Sequence, residues 1–493
     1  MRGARLTEQP ELSIFAAAMA NSSALSGQAA TPEYRLVFRL GTVTYAVLGT
    51  LAAVFYLERM TFMDMSFQTF HILRTGSLQI QSGRFGAACT QVFPWLAQAA
   101  GLPLNGVLLA YSLGHVVYYY VVFLLVTLWL RQWQWGLVLL LLSTLMTAHT
   151  FYWLSEMPQG LAFLVLVLAW LHAKGGVGAL RWWQFPLLAA ALVTAFYFHP
   201  MVLYAMLFCS LFFLLGPLSQ PGLRGLYLLA TGIFLATAFV KYKVLKPDWY
   251  DAMSLERAQA FRELWPHWID IQSNRDFLRW CLNDYYLLPL AVLLNTGFYL
   301  WKKNGPKAAL SLLFPAAFVL LVNVPFHRGD NQFYLENLYL PLALFAAVPL
   351  AFEVLPGLLP RRWMFVALGA VVALRIGHIY ATHRSWTDRM HWEQAFLKKT
   401  ARLSHRKLVL SEKQAPMDTL ILSWGTPTEF LMLSALAHPD SARCVLVDEA
   451  PERFDSLLAR PRLFLGEFRN YAFDELPKRY FHLKDTSAYA RYR

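Results

Sequence analysis

Residues 58–91, ERMTFMDMSFQTFHILRTGSLQIQSGRFGAACTQ, lie between the first two long apolar runs of the chain. Loops between apolar runs are usually short, whereas this one combines acids, arginines and amides with apolar residues at helical spacing. The spaced residues are Phe62, Phe67, Phe70 and Leu73. Because such periodicity indicates a helix, we expect a folded segment that lies on a membrane surface and holds one acid, Asp64, within it.

The composition indicates a membrane protein. Of 493 residues, 57% are hydrophobic and only 15% are charged, whereas soluble domains carry about 25% charged residues. Basic loops that face an anionic lipid leaflet explain the net charge of +13, so we expect membrane lipids and no nucleic acid as partners. The four cysteines are too scattered for a disulfide framework or a metal site.

Apolar runs recur along the chain. A helix that crosses about 30 Å of hydrocarbon needs roughly 20 residues, so the shorter runs need flanking residues to span. We predict an α-helical polytopic membrane protein with about eleven transmembrane helices and a long, structured first outer loop. The runs cover residues 37–57, 106–130, 135–154, 158–172, 183–198, 201–215, 223–240, 284–301, 308–326, 335–355 and 363–380.

The composition also divides the chain into three parts. Residues 1–34 are polar and aperiodic, which predicts a disordered cytoplasmic tail. Residues 35–381 hold the apolar runs and form the predicted transmembrane domain. Residues 382–493 are hydrophilic, and an amphipathic helix followed by short apolar runs predicts a small soluble α/β domain. Its predicted elements are a helix at 386–403, strands at 407–411, 419–423, 444–447 and 462–465, and a strand-to-helix turn with a Thr cap at 424–430.

Basic residues determine the expected orientation, because cytoplasmic loops are enriched in Lys and Arg. Alternate short loops hold most of these residues, which places the N-terminus in the cytoplasm. With eleven crossings, residues 382–493 then lie in the periplasm, outside an inner membrane. The loop 241–280 does not follow the rule, since it is basic but lies on the outer side. Under this assignment, every loop with conspicuous reactive side chains lies on the outer face.

Four motifs carry a resemblance: FMDMSFQ around Asp64, SGRFGAACTQVFPWL from Ser82, SEMPQGL around Glu156 and FHRGDNQFYLENLYLPL from Phe326. With an acid in a long loop after the first span and a soluble C-terminal part, the chain resembles the polytopic C-type (GT-C) glycosyltransferases over residues 37–380. The resemblance implies an integral membrane enzyme. It implies transfer of a hexosyl or pentosyl group from a polyprenyl-phosphate carrier to a lipid, glycan or protein acceptor on the outer face.

Three acids are candidate catalytic residues. Asp64 is the candidate general base that takes the proton of an acceptor hydroxyl, and a helix cap or a solvated loop acid is the alternative. Glu58 lies at the mouth of the first span, where an ion pair with Arg59 is the alternative. Glu156 is a candidate supporting carboxylate, although the helix dipole also favours an acid at a helix N-terminus.

The departing phosphate of such a donor needs cations that stabilise it. Arg84, between Gly83 and Gly86, is the first candidate, and a turn with a surface arginine is the alternative. Arg328 is the second, and a local pair with Asp330 is its alternative. The remaining candidate substrate-binding residues are His199, His327 and Tyr334.

Many members of the family carry adjacent acids in the first outer loop, whereas Asp64 stands alone. A divalent metal ion as cofactor therefore stays open, although no local spacing predicts a metal site. Three other functions also stay open: a lipid-linked glycan polymerase or ligase, a transporter or flippase of lipid-linked sugars, and an inactive scaffold of an envelope complex. Charges in mid-span and inverted repeats would favour transport, but the sequence shows no repeat and few such charges, of which Arg375 is one.

Overall fold

The computed structural model describes residues 32–216, 221–245, 249–403 and 405–492. Nearly all of the predicted tail, residues 1–31, therefore lies outside the described residues, and a helix begins at Pro32. The described chain is mostly helical, with small sheets near its C-terminus.

The N-terminal half forms helices α1 (Pro32–Val54), α2 (Tyr56–Met60), α3 (Met63–Thr75), α4 (Ala88–Ala99), α5 (Leu104–Leu124), α6 (Trp133–Leu142), α7 (Glu156–Lys174), α8 (Gln184–Phe198), α9 (Val202–Leu214) and α10 (Pro221–Phe239). The helical part continues with α11 (Trp249–Arg257), α12 (Ala260–Glu263), α13 (Gln272–Asn283), α14 (Leu287–Trp301), α15 (Gly305–Asn323), α16 (Gln332–Tyr339), α17 (Pro341–Pro349), α18 (Leu355–Leu358) and α19 (Arg361–Thr400). The C-terminal part holds β1 (Lys407–Ser411), α20 (Met417–Leu420), α21 (Thr426–Ala435), β2 (Cys444–Asp448), α22 (Asp455–Leu458), β3 (Leu463–Phe464), β4 (Tyr471–Ala472) and β5 (Ala490–Arg491).

Seven of the described helices are long and apolar enough to cross a membrane, in agreement with the prediction of a helical membrane protein. Four shorter apolar helices accompany them: Trp133–Thr144, Gln184–Phe198, Val202–Leu214 and Leu287–Trp301. Each predicted apolar run overlaps one of these helices. The number of crossings stays a prediction, because the four shorter helices have fewer than the roughly 20 residues that a span needs.

The longest helix, α19, runs beside α1 in the same direction. Arg361, the first residue of α19, forms an ion pair with Glu33 at the start of α1. Thr387, further along α19, donates a hydrogen bond to Glu58, just beyond α1, at 2.9 Å. Both helices therefore begin at one end of the bundle, and both residues 58–91 and the C-terminal strands follow at the other end.

Two buried charged side chains hold a non-helical segment between α6 and α7. Arg375 of α19 donates to the carbonyl oxygens of Thr144 and Thr147 at 3.0 and 3.2 Å. Glu336 of α16 accepts a hydrogen bond from the backbone N–H of Ala148 at 2.8 Å. Because unpaired backbone groups are costly in apolar surroundings, these contacts allow the chain to leave helical geometry inside the bundle. The mid-span charge of Arg375 thus has a structural role.

The C-terminal part contains a parallel three-stranded sheet in the order β2–β1–β5, and β3 pairs antiparallel with β4. The strands predicted at 407–411 and 444–447 coincide with β1 and β2, and β3 lies within 462–465. The strand predicted at 419–423 does not form, because residues Met417–Leu420 form the short helix α20 instead. The predicted Thr cap is also absent. Gly425 is the N-cap of α21, and the hydroxyl of Thr426 donates to the carbonyl of Ser423 at 2.6 Å.

The C-terminal part is continuous with the helical part in two ways. The predicted boundary between residues 381 and 382 lies inside α19, since the last apolar run and the predicted amphipathic helix form one helix of 40 residues. Phe70 and Leu73 of α3 also belong to the same apolar core as Leu431 and Phe464. Residues 58–91 therefore pack directly on the C-terminal part.

A buried charge cluster, here called the Arg389 clamp, joins α19, α21 and α3. Arg389 forms ion pairs with Glu393, at 2.7 Å, and with Glu429. Glu429 accepts a hydrogen bond from the N–H of Met63 at 2.6 Å, and Met63 has a left-handed φ of +40°. Removing one partner of a buried ion pair costs about 3–5 kcal/mol. The clamp therefore holds the start of α3, where Asp64 follows Met63.

We expect the C-terminal part to lie outside the cytoplasm, because basic residues flank the starts of α1 and α19 at the opposite end. A reporter enzyme that is active only in the periplasm should be active when it is fused after residue 493. The same reporter fused to a chain that ends at Lys303, in the basic loop after α14, should be inactive at equal expression. The reverse pattern would contradict this orientation.

Candidate functional site

A cavity of about 760 Å³ opens at the end of the bundle where residues 58–91 meet the C-terminal part. Its wall is formed by α3, the loop before α4, the start of α7, the α8–α9 junction, the region of α16 and loops of the C-terminal part. Five of the eight predicted site residues line it: Asp64, Arg84, Glu156, His199 and Tyr334. The fold therefore brings together side chains that are widely separated in the sequence.

Asp64 lies in the first turn of α3 but does not cap the helix, since the N-cap is Phe62. The indole Nε1 of Trp153 donates to Asp64 Oδ2 at 3.1 Å. Burial raises the pKa of Asp64 from 3.8 to about 7, and the charge of Glu156 adds to this rise. The hydrogen bond from Trp153 and the charge of Arg84 oppose it. A carboxyl group with a pKa near 7 can act as a general base at neutral pH.

Arg84 and Glu156 form an ion pair inside the cavity. Arg84 Nη1 lies 3.5 Å from Glu156 Oε2, and each side chain is only 13% exposed. Gln68 Nε2 also donates to Glu156 Oε1 at 3.5 Å. Arg84 is thus a cavity residue rather than a surface arginine on a turn.

Close packing fixes the loop that carries Arg84. A Cβ atom at Gly86 would lie 2.5 Å from the ring of Phe198, at the end of α8, so a larger residue would displace the loop. The ring of Phe85 stacks on that of Tyr197 with 5.2 Å between the centroids. The loop is therefore held against α8, and this packing fixes the backbone from which the side chain of Arg84 extends.

His199 lines the cavity between α8 and α9. The backbone N–H of Met201 donates to His199 Nδ1 at 3.2 Å. Burial lowers the pKa of His199 well below its usual value, and the charges of Arg84 and Lys241 add to this effect. The neutral ring then carries its proton on Nε2. His199 is therefore a neutral hydrogen-bond donor rather than a third cation.

The structure does not bring the other three predicted residues into the cavity lining. Glu58 is buried and accepts a hydrogen bond from α19, and its expected alternative partner, Arg59, donates instead to Ser112 at 2.8 Å. The carbonyl of His327 accepts from the start of α13 at 3.0 Å. The side chain of Arg328 is exposed on the surface. The placements of Glu58 and His327 follow from contacts with α19 and α13, which the sequence does not reveal.

Sequence reasoning missed several residues of the cavity. Arg257, at the end of α11, lines the cavity, and its guanidinium lies 4.8 Å from the ring centroid of Phe326. No local pattern marked Arg257, because acidic and basic residues nearly balance in residues 241–280. Trp424 and Phe468 of the C-terminal part also line the cavity. The strand-to-helix turn predicted at 424–430 was a signal for Trp424, but no pattern marks Phe468.

The donor set of the cavity does not form a metal centre. Within the described part of the chain, no group of three or more His, Cys, Asp and Glu residues could hold a metal ion. The carboxylates that line the cavity are Asp64, Glu156 and the exposed Asp330, and Arg84 forms an ion pair with Glu156. Divalent cations such as Mg²⁺ and Ca²⁺ take six or more oxygen ligands. We therefore derive no step through a metal ion.

Comparison of the chain with protein-family models, with curated proteins and with solved structures yields no match. The similarity to the C-type glycosyltransferases therefore remains a resemblance of short motifs. A proposal for the function has to rest on the geometry and the electrostatics of the cavity.

The raised pKa of Asp64 predicts a pH-dependent gain of stability in Asp64→Asn. Unfolded Asp has a pKa of about 3.9, so the folded state retains a proton that the unfolded state loses as the pH rises toward 7. The ionised group therefore destabilises the wild-type fold above pH 7. Thermal unfolding should show a higher midpoint for Asp64→Asn than for wild type at pH 8, and the difference should shrink near pH 4.

Asp330→Asn is the matched control, because Asp330 also lines the cavity but its side chain is exposed. Because this side chain is exposed, its replacement removes little packing, and it should change the unfolding midpoint little at either pH. If Asp64→Asn behaved in the same way as Asp330→Asn, the burial of the Asp64 charge would not influence folding.

Proposed function

We propose that the protein is a membrane glycosyltransferase of C-type architecture that uses a polyprenyl-phosphate sugar donor. The observation that carries the proposal is the environment of Asp64, a carboxyl group with a pKa of about 7 in the wall of a large cavity. Its immediate surroundings hold an ion pair, Arg84–Glu156, that supplies a guanidinium for a phosphate. A general base beside an arginine is the minimum that sugar transfer from a lipid phosphate requires.

In the proposed reaction, Asp64 takes the proton of the acceptor hydroxyl while the acceptor oxygen forms a bond with the anomeric carbon of the donor sugar. The bond between that carbon and the phosphate oxygen breaks, and polyprenyl phosphate leaves with the electron pair. Arg84 and Arg257 stabilise the negative charge that develops on the phosphate. His199 donates a hydrogen bond from Nε2, and Asp64 finally releases its proton to water.

The membrane arrangement proposed here has eleven crossings, with the four shorter apolar helices as spans and the cavity on the periplasmic face of an inner membrane. The parallel course of α1 and α19 supports an odd number of crossings, since both helices begin at the same end of the bundle. Seven crossings would satisfy the same condition. The agreement of the predicted runs with all eleven apolar helices favours the larger number.

Two of the three alternatives, the transporter and the inactive scaffold, lose support for separate reasons. Mid-span charges, which transport would favour, are few in the sequence, and the one at Arg375 donates to backbone carbonyls. An inactive scaffold would not need a buried carboxyl group with a raised pKa beside an arginine, because burial of charge destabilises the fold. A glycan polymerase or ligase has the same chemistry and differs only in the acceptor.

Asp64→Asn should abolish most sugar transfer. Asparagine keeps the shape of the side chain and can still accept the hydrogen bond from Trp153, but it cannot take a proton. Loss of a general base lowers rates by roughly a hundredfold or more. The measurement is product formation by the purified protein in liposomes that contain hexosyl and pentosyl polyprenyl phosphates. Wild-type transfer should rise with pH through about 7, as Asp64 loses its proton.

Asp330→Asn, on the same cavity wall, serves as the control and should retain most of the wild-type rate. Wild-type transfer by Asp64→Asn would end the assignment of Asp64 as the base. A wild-type protein that transferred none of these sugars would favour the scaffold function.

Arg84→Ala should weaken binding of polyprenyl phosphate itself, because a charge-assisted contact to the phosphate is lost. Arg84→Lys should restore the affinity only in part, since an ammonium is a point charge and not a planar fork. Arg328→Ala is the control, because Arg328 is exposed outside the cavity lining. Titration of the protein with polyprenyl phosphate in nanodiscs measures the three affinities. Equal loss for Arg84→Ala and Arg328→Ala would show that the phosphate binds elsewhere.

A further inference from the structure

Three aromatic rings form the rim of the cavity where α3 meets the C-terminal part. Phe67 lies 6.3 Å from Trp424 and 5.8 Å from Phe468 between ring centroids, and Trp424 lies 5.4 Å from Phe468. All three residues line the cavity. We call Phe67, Trp424 and Phe468 the aromatic rim.

The aromatic rim is an apolar surface in polar surroundings. Phe468 is 62% exposed, and it lies between Glu467 and Arg469 on the loop that joins β3 and β4. This loop belongs to the hydrophilic C-terminal part and not to the apolar helices. Phe67 and Trp424 are half-buried beside Phe468. A cluster of aromatic rings that is partly open at the rim of a cavity is typical of a binding surface.

The aromatic rim lies next to Asp64, and this position indicates which of the two substrates it contacts. Phe67 follows Asp64 by three residues, and Gln68 by four, so these side chains share one face of α3. A ligand that contacts the aromatic rim therefore lies beside the proposed base. The group beside the base is the acceptor, because the base takes the acceptor proton, whereas the phosphate of the donor lies at Arg84.

Backbone packing fixes Trp424, in the C-terminal part, relative to Phe67 on α3. A Cβ atom at Gly425 would lie 2.8 Å from the Cα of Met63. The chain that carries Trp424 therefore touches the start of α3 directly, and the Arg389 clamp holds the same point. Because the backbones of Trp424 and Phe67 are fixed in this way, these two residues lose little conformational entropy when a ligand binds.

We propose that the aromatic rim binds a sugar ring of the acceptor, so that the acceptor is a glycan rather than a protein or a simple lipid. This inference rests on the proposed glycosyltransferase function. The C–H face of a sugar ring is apolar and carries partial positive charge, which matches the negative face of an aromatic ring. The hydroxyl groups at the edge of the sugar ring then meet the polar residues of the cavity, among them Gln68 and Asp64.

The test measures saccharide binding without a donor, by saturation-transfer NMR on the full-length protein in detergent with short gluco-, manno-, galacto- and arabino-oligosaccharides. At least one of the four series should bind. Phe468→Ala and Trp424→Ala should each weaken that binding by about fivefold to tenfold, the scale of one aromatic contact. Phe468→Tyr should retain the affinity, and Phe468→Leu should not, because leucine keeps apolar surface but has no aromatic face.

Two controls test whether the loss of binding is specific to the aromatic rim. Trp182→Ala removes an aromatic side chain that is 83% exposed between α7 and α8, and it should not change binding. Arg328→Ala changes an exposed residue outside the cavity lining, and it should bind the saccharide as wild type does. Phe468 is exposed, so its variants should unfold at the wild-type temperature.

Absence of binding to all four oligosaccharide series would overturn the inference, and so would unchanged affinity in both alanine variants of the aromatic rim. Neither result would exclude transfer to an acceptor without sugar. Conversely, saccharide binding that depends on the aromatic rim would support the inference even if Asp64→Asn transferred sugar normally, in which case only the assignment of the base would fail.

Discussion

The ion pair between Arg389 and Glu429 is the contact on which the geometry of the cavity depends. Arg389 belongs to the helix that leaves the bundle, and Glu429 belongs to the C-terminal part. Glu429 also accepts the N–H of Met63, 366 residues earlier in the chain. A buried guanidinium without an acid partner is strongly destabilising, so the C-terminal part is held on α3 by a requirement for charge neutralisation. The backbone of the residue before Asp64 is fixed by the same requirement.

A second pair of buried charges positions the opposite wall. Arg375 and Glu336 satisfy the carbonyl and N–H groups of the segment that leads from α6 to α7, and Trp153 and Glu156 follow directly. Burial thus has two effects in this protein. In the framework it favours charges that form ion pairs and hydrogen bonds with one another, and in the cavity it raises the pKa of Asp64, with the charge of Glu156 adding to the rise. The desolvation of charged groups therefore influences both the packing of the framework and the pKa of Asp64.

Local patterns predicted the parts of this structure that depend on local physics. The apolar runs predicted the helices, because hydrophobicity and length are properties of each segment, and residues 58–91 predicted a folded segment with Asp64 and Arg84 in it. The predictions were less accurate where contacts between distant parts of the chain determine the structure. Composition changes near residue 381, but α19 continues because nothing breaks its helical geometry. Arg257 lines the cavity whereas Arg328 does not, and only the packing of α11 and α13 distinguishes these two arginines.

The distance in sequence between Met63 and Glu429 has a consequence for biosynthesis. A ribosome adds about 5–20 residues each second, so Asp64 is made about 20–70 seconds before the acid that anchors its helix. During most of that interval the nascent protein has Asp64 but lacks Trp424 and Phe468, which line the same cavity. The cavity is therefore completed late in synthesis, and a polypeptide that ends before Phe468 lacks part of its wall.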